Sequence, residues 1–278
     1  MDMQFLAIYW RDMKRFVRFR AMLFSSLVQP IIWMLFFGFG MSSSFDSLSG
    51  FLPQHPGALT VNYLTFMGAG VIAMTTLFTS LFGGITLLFD RNWGLMKEMM
   101  AGPMSRMHIL FGISLSGLTK SIIQGLIILV VGLLIGVAFF SGFGALHILI
   151  SILGILLFIS AFSLGFLFLS ATISMRLNSM EGVQGVMTLL TMPIFFSSNA
   201  LYPAAMMPDW LNAISKVNPL TYLVNGLRYF AIGPDFYAMG THYAYSTGDV
   251  IGSFLFLSVF SLLTYILAWR TFRKAVVT

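Results

Sequence analysis

The sequence predicts an all-α integral membrane protein with six transmembrane helices, formed by residues 1–278 as a single domain. Three observations predict this class: the composition, six apolar segments and an uneven distribution of basic residues. Of the 278 residues, 58% are hydrophobic and only 9% are charged, whereas an ordinary soluble domain has about 25% charged residues. A chain this poor in charge cannot cover a soluble globule with a polar surface, so the soluble classes are excluded.

Six segments are apolar and long enough to cross the hydrocarbon layer of a membrane, which is about 30 Å thick and needs roughly 20 helical residues. Their apolar runs are continuous rather than alternating, which indicates helices and not the strands of a β-barrel. The predicted spans cover residues 22–41, 62–88, 107–139, 145–173, 182–203 and 249–269.

Basic residues are concentrated on one side of the predicted bundle. Cytoplasmic loops of membrane proteins contain an excess of lysine and arginine, so both termini are expected in the cytoplasm. The opposite side has only Lys216 and Arg228. The same bias explains the net charge of +6 without a nucleic-acid partner. The twelve residues on the basic side are Arg11, Lys14, Arg15, Arg18, Arg20, Arg91, Lys97, Arg106, Arg176, Arg270, Arg273 and Lys274.

Residues 4–20 have the pattern of an amphipathic helix. At 100° per residue the apolar side chains, Trp10 among them, cover a broad arc, and basic side chains gather on the opposite arc. The pattern is typical of a helix that lies in the inner membrane interface with its cations toward anionic headgroups. A plain topology anchor explains it equally well. The basic residues on this arc are Arg11, Lys14, Arg15 and Arg18.

Lys120 is the only charge well inside a predicted span. A lysine there costs roughly 2.5–3.5 kcal/mol on insertion scales, which favours a partner or a wet cavity. Asp90 and Glu181 are the candidate partners. A lysine that extends toward the inner interface and a lysine that contacts substrate are equal alternatives, and our hypothesis is a structural pairing.

The stretch "VNPLTYLVNGLRYFAIGP", residues 217–234, predicts a short helix on the outer side. Asn218 suits the cap position and Pro219 the first helical position, because the missing N–H of proline would be unpaired there anyway. Fourteen or so helical residues are too few to cross the bilayer. One flank of this helix is apolar, and the other contains Thr221, Tyr222, Asn225 and Arg228.

No residues suggest catalysis or metal binding by this chain. It has no cysteine, its four histidines lack ligand spacing, and Gly112, Gly117 and Lys120 do not satisfy the P-loop pattern. We therefore expect no enzyme and no bound metal or cofactor.

Three stretches, taken in order with six spans and cytoplasmic termini, resemble the type 2 ABC transporter permeases. "DRNWGLMKEMMAGPMSR" resembles the loop between their second and third spans, and "GISLSGLTKSIIQG" the start of the third. The stretch 192–228, which contains Asn218-Pro219-Leu220-Thr221-Tyr222, is similar to the family signature. The drug-resistance and daunorubicin-exporter branch is the most similar.

The resemblance implies a transmembrane subunit of an ATP-driven exporter of an amphiphilic drug, lipid or lipid-linked glycan. Two permeases, identical or homologous, would pair and rest on two cytoplasmic ATPase subunits, which bind ATP and Mg²⁺. Residues 89–106 would be the cytoplasmic coupling loop, with a helix at 92–101 that Gly102-Pro103 ends. Its expected coupling residues are Asp90, Arg91, Trp93, Leu95, Lys97 and Glu98.

The resemblance also implies an outer re-entrant helical hairpin, residues 204–234, between spans five and six. Its polar flank would line the outer end of the translocation route or bond to loop backbone. The expected residues are Asn218, Pro219, Thr221, Tyr222, Asn225 and Arg228.

Two positions depart from the family pattern, and rival functions remain open. Asn92 stands where members of the family often have a glutamate after the Asp-Arg pair, and Ile113 stands where a basic residue often follows the glycine. The loop 89–106 is also compatible with a charged turn that only sets orientation. We expect a multi-pass protein of the prokaryotic cytoplasmic membrane, and the main alternative to the exporter is an ATP-independent secondary transporter or channel. That class often places acidic residues in mid-span, and none is found here.

Overall fold

The computed structural model describes residues 4–50, 59–101 and 105–274, and it is almost entirely helical there. Residues 102–104 of the predicted loop, with the Gly102-Pro103 break, lie outside the described residues. The helices are α1 (Gln4–Arg18), α2 (Arg20–Trp33), α3 (Gly40–Gly50), α4 (Tyr63–Gly83), α5 (Ile85–Asn92), α6 (Leu95–Ala101), α7 (Arg106–Ile135), α8 (Ala145–Arg176), α9 (Met180–Phe196), α10 (Asp209–Ser215), α11 (Pro219–Ala231) and α12 (Thr247–Lys274). A π-helical segment, Met34–Phe39, joins α2 to α3, and a 3₁₀ turn, Ala204–Met206, precedes α10.

Side-chain caps set where several of these helices begin. Asn62, Ser105 and Ser179 each accept a hydrogen bond from the backbone N–H three positions on, before α4, α7 and α9. These contacts satisfy amide donors that have no partner inside the helix. At the other end of α7, Gly136 has a φ of 103° and stops the helix.

Five helices in the described part of the chain are long and apolar enough to cross a membrane. Two of the predicted spans extend beyond the ends of the helices in the structure. Predicted span 107–139 ends at Ile135, because Gly136 turns the chain away. Predicted span 182–203 corresponds to α9, which has only 17 residues and extends about 25 Å. Beyond it, the N–H and the hydroxyl of Ser198 both donate to the carbonyl of Phe195, in a turn that replaces further helix. The first of the five long helices, Ser26–Phe45, joins α2, the π-helical segment and α3, and the second, Tyr63–Asn92, joins α4 and α5. The other three are Arg106–Ile135, Ala145–Arg176 and Thr247–Lys274.

A small three-stranded sheet, which the all-α prediction missed, lies at one end of the bundle. Its order is β1 (Leu59–Thr60), β2 (Asp235–Ala238), β3 (Thr241–Ala244), with β1 parallel and β3 antiparallel to β2. The central side chain, Phe236, is fully buried and stacks on Tyr243. Strands this short depend on packing against helices for their stability, so an apolar pattern of four residues does not reveal them.

The bundle has two chemically different ends. We call the first the basic end; it comprises α1, α5, α6, the first turn of α7 and the last turns of α8 and α12. There, Arg106 donates to the carbonyl of Arg273 at 3.0 Å. The second, the sheet end, comprises the strands, α10, α11 and the segment 197–203. There, the N–H of Val61 donates to Tyr237 at 2.9 Å.

Helix α4 passes directly against the segment 197–203 at Gly70. A Cβ atom at this position would lie 2.2 Å from the carbonyl oxygen of Ala200, a backbone atom that cannot rotate away. We expect Gly70→Ala to destabilise the fold by about 2 kcal/mol, as overpacked cores do. The measurement is the apparent melting temperature in detergent.

Gly185→Ala is the matched control, because Gly185 is also helical and a Cβ there meets nothing within 4 Å. Its melting temperature should be unchanged or higher, since alanine favours helix over glycine. Equal stability of the two variants would contradict the close approach at Gly70.

Candidate functional site

The predicted coupling loop presents an exposed tip at the basic end. Trp93 is 68% exposed, and Lys97 and Glu98 are exposed beside it. Gly94, with a φ of 78°, makes the sharp turn between α5 and α6. Leu95 is half-buried, while Met96 packs in a small buried apolar cluster with Ile109 and Phe272. The tip therefore combines an outward aromatic and charged surface with an apolar anchor.

Asp90 and Arg91 hold the base of this loop rather than its surface. Asp90 is fully buried and accepts hydrogen bonds from Arg11 and, at 3.1 Å, from Arg15. Arg91 donates to the carbonyls of Met175 (3.1 Å) and Leu177 (2.8 Å) in the α8–α9 connection. The buried Asp90 and the partly buried Arg91 thus bond to neighbouring segments and fix the position of the loop.

The N-terminal amphipathic helix is present as α1, but its cations are divided. Arg11 and Arg15 turn toward Asp90, which corrects the expectation that all four cations face headgroups. A buried carboxylate attracts them because an unpaired charge there is costly. Lys14 and Arg18 are exposed, as is the ring of Trp10.

The carboxylate partner of Lys120 is Asp12, which was not one of the two predicted candidates. The Nζ atom of Lys120 lies 2.5 Å from Oδ2 of Asp12 on α1, and Ser116 donates to the same oxygen. Asp90 and Glu181, the expected partners, do not form this pair: Asp90 is bonded to the two arginines. Pairing favours the structural explanation of Lys120 over extension toward the interface.

At the sheet end, α11 begins as the sequence predicts. Asn218 caps it by accepting from the N–H of Leu220 at 2.9 Å, with Pro219 in the first turn. The Asn218 amide also donates to the carbonyl of Ile194 at 2.6 Å and to the hydroxyl of Ser197 at 3.0 Å. One side chain thus joins the end of α9 to the start of α11.

The rest of the polar flank of α11 also bonds to protein. Thr221 shares a hydrogen bond with Ser215 at 3.1 Å, and Tyr222 donates to the carbonyl of Lys216 at 2.6 Å. Asn225 accepts from Asn199 at 2.7 Å. Of the two expectations for this flank, the structure therefore shows bonds to neighbouring loops.

Arg228 is fully buried at the sheet end. It donates to the backbone carbonyls of Asn199 (2.8 Å) and Ala200 (3.4 Å). The guanidinium carbon lies 3.5 Å from the ring centre of Phe66 and 5.7 Å from that of Tyr243. Carbonyl oxygens and ring faces, rather than a carboxylate, therefore stabilise this cation.

Two tyrosines beside Arg228 remain neutral. Burial raises the pKa of Tyr243, and the nearby positive charge of Arg228 only partly lowers it. Burial likewise raises the pKa of Tyr245, against the charge and a hydrogen bond of Arg228. Neither phenol supplies a negative charge at neutral pH, so the cation of Arg228 is held by dipoles and π faces.

Sequence reasoning missed several residues on which these sites depend. Asp12 was overlooked because it lies among four cations, although an acid in a basic arc is itself a signal of pairing. Asn199, Tyr243 and Tyr245 are distant from Arg228 in sequence, and a single sequence contains no signal that joins them.

Comparison with known proteins agrees with this architecture. The model of a family described as ABC-2 type transporter matches residues 3–231. The chain belongs to the ABC-2 type transporter family. As a member, it is a permease and a multi-pass protein of the cell membrane.

The relatives of this permease are named as transport permeases, and the chain covers most of their length. The transport permease ycf38 of Porphyra purpurea is 27% identical over 86% of this chain and 78% of its own. The daunorubicin resistance ABC transporter permease protein DrrB1 of Streptomyces coeruleorubidus is 24% identical over 79% and 71%. The inner membrane transport permease YadH of Escherichia coli K12 is 22% identical over 96% and 94%.

Proposed function

We propose that this permease is the membrane subunit of an ATP-driven exporter and that a separate ATPase docks on its basic end. The observation that supports this most directly is the loop tip, which exposes Trp93, Lys97 and Glu98 on a base fixed by Asp90 and Arg91. An exposed tryptophan beside charges on a rigid base suits a protein interface. A turn that served only to set orientation would not need such a base.

The basic end is the cytoplasmic end in this proposal, with both termini inside. ATP and Mg²⁺ belong to the partner ATPase, of which two copies serve a pair of permeases. The pair consists of two copies of this chain or of this chain and a homologue. Excess lysine and arginine at one end support the orientation, and Lys14 and Arg18 on α1 are exposed where anionic headgroups would lie.

The cargo class in this proposal is an amphiphilic drug, lipid or lipid-linked glycan, moved outward. The printed name of DrrB1 associates that relative with daunorubicin resistance, which makes daunorubicin a suitable probe. Residues 204–234 would form the outer re-entrant segment. The 3₁₀ turn, α10 and α11 lie there as short helices, and none is long enough to cross a bilayer.

An ATP-independent secondary transporter is the alternative, and the buried acids disfavour it. Asp12 and Asp90, the buried carboxylates in the described ranges, are each paired with basic side chains. Such transporters use ionisable residues near the membrane midplane. Two carboxylates that are already paired with cations do not suit that role.

The test is isolation of the tagged chain from its native membranes, followed by transport in inverted vesicles. We expect a Walker-motif ATPase in roughly equal amount and daunorubicin accumulation that requires ATP. Because the chain has no cysteine, a single cysteine can be introduced at position 97 or 210. Labelling reagents added to the cytoplasmic or to the outer side of the membrane then show which side each position faces. Uphill transport without an ATPase, or labelling of position 97 from outside, would contradict the proposal.

A further inference from the structure

We propose that the polar contacts joining α1 to α5, α6 and α7 form a relay that carries movement of the coupling helix α6 into α7. Asp12 and Lys120 are its positioning residues. The inference rests on the proposed function, since the movement starts at an ATPase docked on the basic end.

The first part of the relay joins α6, α1 and α5 through Arg11. One guanidinium nitrogen of Arg11 lies 3.6 Å from the sulfur of Met99 on α6. The other donates to the buried carboxylate of Asp90 at the end of α5. One side chain of α1 therefore contacts both helices of the coupling loop, so α6 cannot shift without moving this contact.

The second part joins α1 to α7. Arg15 donates to Asp90 at 3.1 Å, and its Nε atom lies 3.9 Å from Asp12. Asp12 in turn holds Lys120 at 2.5 Å and accepts from Ser116. The ion pairs form a continuous chain from Asp90 to Lys120, which lies fourteen positions beyond the first residue of α7.

Close backbone packing makes α1 and α7 a single mechanical unit. A Cβ atom at Gly112 of α7 would lie 2.8 Å from the carbonyl oxygen of Phe5 and 2.8 Å from Cβ of Ile8. The two helices thus touch without an intervening side chain on α7. Slippage between them would also separate the buried carboxylate of Asp12 from Lys120, and loss of the partner of a buried charge is strongly disfavoured. Movement of α1 is therefore transmitted to α7 rather than lost between them.

The relay differs from a purely structural ion pair in what its loss should change. A structural pair affects protein amount and stability alone. A relay also determines whether ATP binding at the basic end moves α7 at the sheet end. The readout is therefore a distance at the far end of α7, measured with and without ATP in the complex with the ATPase.

The experiment places spin labels at Leu134 of α7 and Leu153 of α8, both exposed, in the otherwise cysteine-free chain. In the wild-type complex we expect ATP to change the distance between the labels. Lys120→Met and Asp12→Asn should abolish most of that change, because each removes the ion pair that joins α1 to α7. Lys14→Met is the matched control, since Lys14 is an exposed lysine of α1, and it should leave the change intact.

One further variant separates transmission from folding. Lys120→Arg keeps the positive charge opposite Asp12, so it should retain the ATP-dependent change. A full change in Lys120→Met with ATPase bound would overturn the relay alone, as would a wild-type complex that shows no change or a folded Lys120→Arg variant that shows none. A wild-type chain that binds no ATPase would overturn the proposed function, and the relay with it.

Discussion

Arg228→Ala is expected to lower the stability of the fold by about 3 kcal/mol, the sum of a cavity and lost polar contacts. The side chain is among the largest that are fully buried in the described part of the chain. Its removal leaves the carbonyls of Asn199 and Ala200 without their donor and takes the cation from the face of Phe66. The apparent melting temperature in detergent measures the loss.

Two variants show which contact matters. Arg228→Met keeps most of the volume but not the donors, so its loss should be smaller than that of Arg228→Ala. Lys216→Ala removes an exposed charge at the same end and should stay within about 0.5 kcal/mol of wild type. If Arg228→Met were as stable as wild type, the hydrogen bonds to the 197–203 segment would contribute nothing.

The overall helical plan could be predicted from the sequence because it depends on local patterns. Continuous apolar runs predict membrane helices wherever about 20 residues are available. Asn218 and Pro219 predict the start of α11 through their own chemistry, and the structure confirms it. The amphipathic pattern likewise locates α1, within two residues at its end.

Pairings between distant residues could not be predicted in this way. Lys120 needed an anion, and a single sequence left Asp90 and Glu181 as candidates, whereas the partner is Asp12. The choice depends on α1 lying along α7, which hydropathy does not encode. The same limit applies to Arg228, whose fixed geometry comes from Asn199 and Phe66, and to the sheet, whose strands pair β1 with a segment far along the chain.

The lengths of two predicted spans were also wrong, because turn residues end the helices earlier than hydrophobicity predicts. The third predicted span continued through Gly136 because the residues after it are apolar, but that glycine is left-handed. The fifth continued through Ser198, whose hydroxyl and N–H both bond to the carbonyl of Phe195 in a turn. Hydrophobicity places a segment in the membrane, and single turn residues decide where its helix ends.

Loss of the exposed surface of the proposed coupling loop should separate this permease from the proposed ATPase. We expect Trp93→Ala with Lys97→Ala to weaken ATPase binding at least about tenfold, as truncation of an aromatic interface anchor does. Leu95 is left unchanged because it is half-buried, so its replacement would disturb the fold as well as the surface. The measurement is ATPase affinity for the permease in nanodiscs, with ATP-dependent daunorubicin uptake measured in parallel.

Trp210→Ala is the matched control at the opposite end. Trp210 is 66% exposed, close to the 68% of Trp93, but it lies in α10 at the sheet end. A tryptophan that serves only the membrane interface should matter equally at both ends, whereas an ATPase contact should matter only at the basic end. Equal, small effects of the two replacements would therefore assign Trp93 to lipid and leave the ATPase without its proposed docking surface.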